Sequence, residues 1–121
     1  MAKFTSLKPT LYTKDLKGTV DFYTGIFGFE CSACEESQGW AAVARDGLEI
    51  MFSLPNEHIP FEKPVFTGSF YISTDKVDAM WEQLKGKCRV CYEPETFGYG
   101  MREFAVYDNN GYLIQFGQPV N

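Results

Sequence analysis

The chain has 121 residues, a length that fits one domain and is enough to bury a core without stabilisation by disulfides or bound metal. Hydrophobic residues make up 45% of the chain and aromatic residues 17%. The aromatic share is larger than a core of this size needs, so the composition favours a ligand groove. The formal net charge of −5 argues against nucleic acid and against an anionic membrane surface as partners.

The N-terminal sequence MAKFTSLKPT has no apolar stretch followed by a cleavage site, so we expect no secretory signal. No segment approaches the roughly 18 consecutive apolar residues that a membrane-spanning helix requires. The sequence therefore predicts a cytoplasmic protein with no membrane partner.

The first half of the chain predicts one strand, one helix and three further strands. Asp15 stands directly before a helical spacing of apolar residues and is typical of an N-cap. Asp46-Gly47 lies between two alternating segments and is typical of a hairpin turn. The predicted elements are strand 6–13, helix 16–26, and strands 29–35, 39–46 and 48–54.

The second half repeats this order after a linker, residues 55–65, that contains three prolines. Asp75 repeats the position of Asp15, and Asn110-Gly111 repeats the hairpin turn. The predicted elements are strand 66–74, helix 76–85, and strands 88–93, 101–108 and 111–117. We interpret repeat one (1–54) and repeat two (66–121) as βαβββ units of a single α+β domain, forming a curved mixed sheet around a central cavity.

Alternation along the strands separates a face that packs on the helices from an opposite face. Leu48, Ile50 and Phe52 are expected under the first helix, so Glu49 and Met51 point away from it. The opposite face mixes aromatic and charged side chains, unlike a sealed core. The alternative to a ligand site is a solvent-exposed sheet face on which two aromatic side chains occur by chance. The predicted ligand-binding residues are Lys8, Tyr12, Trp40, Glu49, Met51, Ser69, Tyr71, Tyr99, Glu103 and Gln115.

The four cysteines form two Cys-x-x-Cys pairs, Cys31/Cys34 and Cys88/Cys91, whose spacing is typical of zinc ligands. Both pairs fall in predicted strands, where residues three apart point to opposite faces. Neither pair begins a helix, as a thioredoxin-like redox pair does. We therefore expect four reduced thiols and no zinc site.

Two segments resemble the vicinal oxygen chelate superfamily, which contains glyoxalases, bleomycin-resistance proteins and extradiol dioxygenases. The segments are Asp15-Leu16…Val20-Asp21-Phe22-Tyr23…Phe27-Gly28-Phe29 and Tyr99-Gly100-Met101-Arg102-Glu103-Phe104…Asp108-Asn109-Asn110-Gly111-Tyr112. The resemblance covers essentially the whole chain. The opening residues 1–6 and the segment 99–104 look most like bleomycin-resistance proteins, which are homodimers that sequester a drug and perform no chemistry.

Metal-dependent members of this superfamily place a His or Glu ligand on the first and last strand of each repeat. The matching positions here are Lys8, Met51, Ser69 and Gln115, none of which suits a divalent transition metal. The only histidine, His58, lies in the predicted linker. We therefore expect no metal and no cofactor, and the protein is interpreted as a binding protein rather than an enzyme.

The resemblance thus implies a metal-free small-molecule binding protein that sequesters an aromatic or cationic ligand, with antibiotic resistance as the role found in relatives. Aromatic side chains would stack on the ligand, and Glu49 or Glu103 would supply a counter-charge. A homodimer is implied by the resemblance and by edge strands at Cys31 and Cys88. Two alternatives stay open: a metal-dependent glyoxalase or dioxygenase-type enzyme, and a metal-free enzyme with Glu103 as a weak catalytic candidate for the base.

Overall fold

The computed structural model describes residues 2–58 and 60–120, and these fall into two compact units. Described residues up to Glu62 form unit 1, and those from Lys63 onward form unit 2. The boundary lies inside the predicted linker 55–65, of which Ile59 falls outside the described residues. The single domain and the central cavity expected from the sequence stay predictions.

Unit 1 is one helix on a mixed four-stranded sheet. Its strands lie in the order β1-β4-β3-β2, with β1 parallel to β4 and the other neighbours antiparallel. The first strand is shorter than the predicted 6–13, because Pro9 has no N–H to donate to a ladder. The elements are β1 (Thr10–Tyr12), α1 (Leu16–Gly25), β2 (Glu30–Glu35), a 3₁₀ turn (Glu36–Gln38), β3 (Trp40–Arg45) and β4 (Leu48–Ser53).

Unit 2 repeats this arrangement, with strand order β5-β8-β7-β6 and β5 parallel to β8. The α+β class with two βαβββ repeats is therefore confirmed, and each repeat has its own four-stranded sheet. In the described part of the chain, neither helix is long and apolar enough to cross a bilayer. The elements are β5 (Phe70–Ser73), α2 (Val77–Leu84), β6 (Val90–Thr96), β7 (Met101–Tyr107) and β8 (Leu113–Pro119).

Each helix covers one face of its own sheet with aromatic contacts. In unit 1 the ring of Tyr23 lies 4.8 Å from that of Phe52, and in unit 2 Trp81 lies 5.4 Å from Phe104. Phe52 and Phe104 are fully buried, which contributes roughly 1.5–3 kcal/mol for each side chain removed from water. The prediction for Leu48 is wrong: it is 43% exposed, because it follows the hairpin turn at the open end of the sheet.

The two helices begin differently, although the sequence predicts an aspartate cap for both. In α1 the backbone N–H of Gly18 donates to the Asp15 side chain at 2.9 Å, as predicted. In α2 the N-cap is Lys76 and no side chain caps the helix locally. Instead the Val77 N–H donates to Oε1 of Gln118 at 2.9 Å, so β8 supplies the acceptor that Asp75 was expected to supply.

The expectation of four reduced thiols is wrong for the first pair, since Cys31 and Cys34 form a disulfide. A β-bulge explains the error. Cys31 pairs with Val43 and Cys34 with Ala41, and the extra residue Ser32 between them shifts the register. Because the bulge adds one residue, the two cysteines point to the same face instead of opposite faces. Cys88 and Cys91 are free thiols, as expected.

Candidate functional site

The sheet face of unit 2 that points away from α2 gathers most of the polar side chains predicted for a ligand site. Phe104 packs on the helix, so its neighbour Glu103 on β7 points to the opposite face. Gln115 on β8 pairs with Tyr71 on β5 and therefore shares that face. We call this surface the polar face of unit 2, defined by Ser69, Tyr71, Tyr92, Tyr99, Glu103 and Gln115.

Glu103 is the centre of this face and is a buried carboxylate held by two phenols. Tyr71 donates its hydroxyl proton to Oε2 at 2.6 Å, and Tyr99 donates to Oε1 at the same distance. Glu103 is only 5% exposed, whereas Tyr99 is 68% exposed. Buried carboxylates usually have a cationic partner, but both donors here are neutral. The neighbouring Arg102 does not fill that role, because its guanidinium bonds to Asp78 at 3.0 Å.

The carboxylate also keeps both phenols protonated. Burial and then the hydrogen bond to Glu103 raise the pKa of Tyr71 well above its ordinary value. The hydrogen bond to Glu103, followed by burial, raises the pKa of Tyr99 to about 12. Both hydroxyls therefore remain neutral donors throughout the physiological range.

Gly117 on β8 makes the position of Tyr71 possible. A Cβ at this glycine would overlap the phenol oxygen and ring of Tyr71. Gly117 is buried and pairs with Glu103 across the β7–β8 ladder. The missing side chain therefore lets the Tyr71 ring lie against β8 and reach the carboxylate.

The amide of Gln115 is fixed from both ends. Ser69 donates its hydroxyl proton to Oε1 of Gln115, and Nε2 of Gln115 donates to the Tyr92 hydroxyl oxygen at 2.8 Å. Burial is the main reason that the pKa of Tyr92 is raised. Both ends of the amide are thus engaged, which orients it as a rigid hydrogen-bonding surface beside Glu103.

Aromatic rings continue this face into the turn between β6 and β7. Phe97 and Tyr99 stack with ring centroids 5.4 Å apart and an interplanar angle of 3°. Tyr92 meets Phe97 edge to face at 6.1 Å. The flat faces of these rings are suited to stacking on a planar group or to holding a cation.

In unit 1 the matching face has different electrostatics, because the charge of the Glu49 carboxylate is balanced by a lysine. Lys8 forms an ion pair with Glu49 at 2.8 Å, and Ser32 donates to the other carboxylate oxygen at 3.1 Å. The Lys8 hydrogen bond, followed by that of Ser32, lowers the pKa of Glu49. Tyr12 and Trp40 both pair with Ser53 of β4 from opposite sides and so flank it on this face.

The four positions that match metal ligands in relatives do not fit a divalent transition metal. Lys8 is a cation already paired with Glu49, and Met51 offers only a soft thioether. Ser69 and Gln115 are neutral and hydrogen-bond to each other. Within residues 2–58 and 60–120, no group of three or more His, Cys, Asp or Glu side chains is arranged to hold a metal ion.

The structure brings together the predicted residues of each repeat within its own unit. Ser69, Tyr71, Tyr99, Glu103 and Gln115 lie on the polar face of unit 2; Tyr12, Trp40, Glu49 and Met51 lie on the corresponding face of unit 1, with Lys8 joined to Glu49. The sequence missed Tyr92 and Phe97. Two register shifts in β6, between Val90 and Thr96, break the alternation that would have identified Tyr92.

Each of the two βαβββ units has a polar sheet face opposite its helix. A family model described as the Glyoxalase/Bleomycin resistance protein/Dioxygenase superfamily matches residues 5–116. The chain therefore belongs to this superfamily, and the resemblance recognised in its sequence is confirmed at that level.

Solved structures share this fold at low sequence identity. TioX from Micromonospora sp. ML1 is 18% identical with a TM-score of 0.79, over 97% of this chain and 100% of that chain. Lactoylglutathione lyase from Agrobacterium tumefaciens is 20% identical with a TM-score of 0.75, over 97% and 95%. A superfamily member from Sphaerobacter thermophilus is 19% identical with a TM-score of 0.80, over 96% and 98%. No curated protein sequence matches the chain significantly.

Proposed function

We propose that this protein is a metal-free small-molecule binding protein that sequesters an aromatic or cationic ligand. The observation that carries the proposal is Glu103, a buried carboxylate with two neutral phenol donors on a face lined with aromatic rings. Sites of this composition combine stacking surfaces with a few oriented polar groups, which is the usual lining of a ligand pocket. Bleomycin-type antibiotics are the ligand that the resemblance to resistance proteins suggests.

Binding is favoured over catalysis by how the polar groups are used. Each carboxylate oxygen of Glu103 accepts a hydrogen bond from a phenol, an arrangement that orients the carboxylate as a hydrogen-bond acceptor. Gln115 is held at both ends by Ser69 and Tyr92. A metal-dependent reaction of the glyoxalase or dioxygenase type lacks suitable donors at the four matching positions.

We also propose that the protein acts as a homodimer. Among residues 2–58 and 60–120, strands β2 and β6 each have one neighbour within their own sheet, so each has one edge of backbone donors and acceptors with no strand beside it in that sheet. A second copy of the chain could cover such an edge. Analytical ultracentrifugation tests this proposal, and a monomer across the micromolar range would contradict it.

The direct test of the binding function is a fluorescence titration with metal-free bleomycin. Trp40 lies on the polar side of unit 1, whereas Trp81 belongs to α2 and packs against Phe104 of β7. A Trp81→Phe variant therefore leaves Trp40 as the single tryptophan reporter, and a Trp40→Phe variant is the matched control. We expect saturable quenching in the first variant and little in the second. Flat curves up to millimolar drug in both variants would remove bleomycin as the ligand.

A further inference from the structure

Resting on the binding function above, we propose that Glu103 recognises an organic cation that carries N–H donors, such as an ammonium, amidinium or guanidinium group. We also propose that the phenol of Tyr99 is the donor that this ligand displaces. Such a ligand is a subclass of the aromatic or cationic ligands proposed above: its N–H groups bind Glu103 and it displaces Tyr99.

The two carboxylates on the polar faces differ in the charge they still offer. Glu49 in unit 1 is paired with the ammonium of Lys8, so its charge is already balanced. Glu103 in unit 2 accepts hydrogen bonds from the phenols of Tyr71 and Tyr99. In the part of the chain that the structure describes, no Lys, Arg or His side chain forms an ion pair with Glu103. A ligand cation would supply the charge that this buried site lacks.

A second acidic residue strengthens the preference for a cation. Glu95 on β6 pairs directly with Glu103 on β7, so the two side chains share one face of the sheet. Like charges on neighbouring strands repel each other, and a cation between them relieves that repulsion. An anionic ligand would meet both carboxylates and is therefore disfavoured at this position.

The two phenols that hold Glu103 are anchored to different degrees. Tyr71 is 41% exposed, but its ring lies against Gly117, where even a methyl group would not fit, so β8 supports one side of the ring. Tyr99 is 68% exposed and belongs to the turn between β6 and β7, where the Gly100 N–H donates to the Phe97 carbonyl at 3.0 Å. Rotation of the exposed Tyr99 side chain exposes Oε1 of Glu103 without moving the sheet.

The exchange is chemically favourable for a cationic donor. A hydrogen bond between two charged groups is roughly twice as strong as one between neutral groups, so an N–H of a ligand cation replaces the phenol O–H at Oε1 with a gain. Rotation of Tyr99 also uncovers the Phe97 ring on which it stacks, so Phe97 then offers a flat face beside the bound cation. Tyr71 keeps its bond to Oε2 throughout and orients the carboxylate.

Benzamidinium and its neutral isostere benzamide are the probes for this site, followed by amide chemical shifts of β7 and the 97–100 turn in NMR titrations. We expect the native protein to bind benzamidinium about tenfold more tightly than benzamide. Glu103→Gln should abolish that preference, and Glu82→Gln on the exposed side of α2 is the matched charge control that keeps it. Tyr99→Phe should bind benzamidinium about two- to tenfold more tightly, because the ligand no longer competes with the phenol.

The outcomes separate this inference from the broader binding function. Equal binding of both probes by the native protein and by Glu103→Gln would overturn the inference while leaving a receptor for aromatic ligands. Loss of the preference in Glu49→Gln but not in Glu103→Gln would move the cation to unit 1 and also overturn it. Weaker binding in Tyr99→Phe would contradict the displacement step. Because Tyr99 is exposed, that variant stays informative even if Glu103→Gln fails to fold.

Discussion

Substitution of Gly117 by alanine tests the most constrained contact of the polar face. The new methyl group would overlap the Tyr71 phenol, so the ring must leave β8 and release its hydrogen bond to Glu103. Gly117 does not have a positive φ, and its backbone conformation accepts alanine without strain. The effect of the substitution therefore comes from the displaced tyrosine and not from the backbone.

The expected magnitude follows from two opposing contributions. Loss of a hydrogen bond to a charged acceptor costs about 1.5–3 kcal/mol. Replacing glycine by alanine reduces the conformational entropy of the unfolded chain, which raises the free energy of unfolding by about 0.5–1 kcal/mol. We therefore expect Gly117→Ala to lower the free energy of unfolding by about 0.5–2.5 kcal/mol. In a Tyr71→Ala background the clash is absent, so the same substitution should stabilise by about 0.5–1 kcal/mol.

Urea unfolding monitored by tryptophan fluorescence measures these differences. Gly25→Ala is the matched control, because a Cβ at Gly25 in α1 meets no atom within 4 Å. That control should raise the free energy of unfolding by up to about 1 kcal/mol. If Gly117→Ala were neutral or stabilising in the native background, or equally destabilising without Tyr71, the assigned packing of Tyr71 against β8 would be incorrect.

Two further predictions concern a helix cap and a phenol. Asp15→Ala should lower the free energy of unfolding by about 0.5–2 kcal/mol, because it removes the side-chain cap of α1. Asp75→Ala should change the free energy of unfolding little, because Asp75 does not cap α2. Equal effects of the two substitutions in urea unfolding would contradict the assigned caps. Tyr99 should ionise near pH 12 by phenolate absorbance, against an ordinary value of 10.0. Because its pKa is raised in the folded state, its stabilising contribution is complete below pH 10 and is lost as the pH rises toward 12. A Tyr99 titration near 10, measured as the difference from Tyr99→Phe, would exclude the bond to Glu103.

The periodic parts of the fold could be predicted from the sequence. Alternation placed Ile50 and Phe52 in the core and pointed Glu49 away from the helix, and both outcomes are observed. The cap of α1 was also predictable, because Asp15 and Gly18 lie three residues apart. Each of these inferences depends on neighbours in the chain, and local patterns carry that information.

Inferences that depend on distant or irregular contacts failed. The acceptor for the first turn of α2 comes from Gln118, which is 41 residues from Val77, so no local pattern could identify it. The bulge at Ser32 moved Cys31 and Cys34 to one face, against the simple period of two. The partners of Glu103 were likewise hidden, because Tyr71 reaches it only across Gly117. Alternation thus grouped Tyr71, Glu103 and Gln115 on one face, but it did not give the hydrogen bonds among them.

Equilibrium dialysis of the untagged protein against Mn²⁺ and Ni²⁺, with metal content measured by mass spectrometry, tests the metal-free character of the site most directly. The donors at the matching positions are an ion-paired Lys8, a thioether, and the mutually bonded Ser69 and Gln115, so the expected result is no stoichiometric uptake at micromolar metal. Binding of about one metal ion per chain, lost in the Gln115→Ala variant, would contradict the proposed metal-free binding protein. That result would favour the metal-dependent enzyme instead.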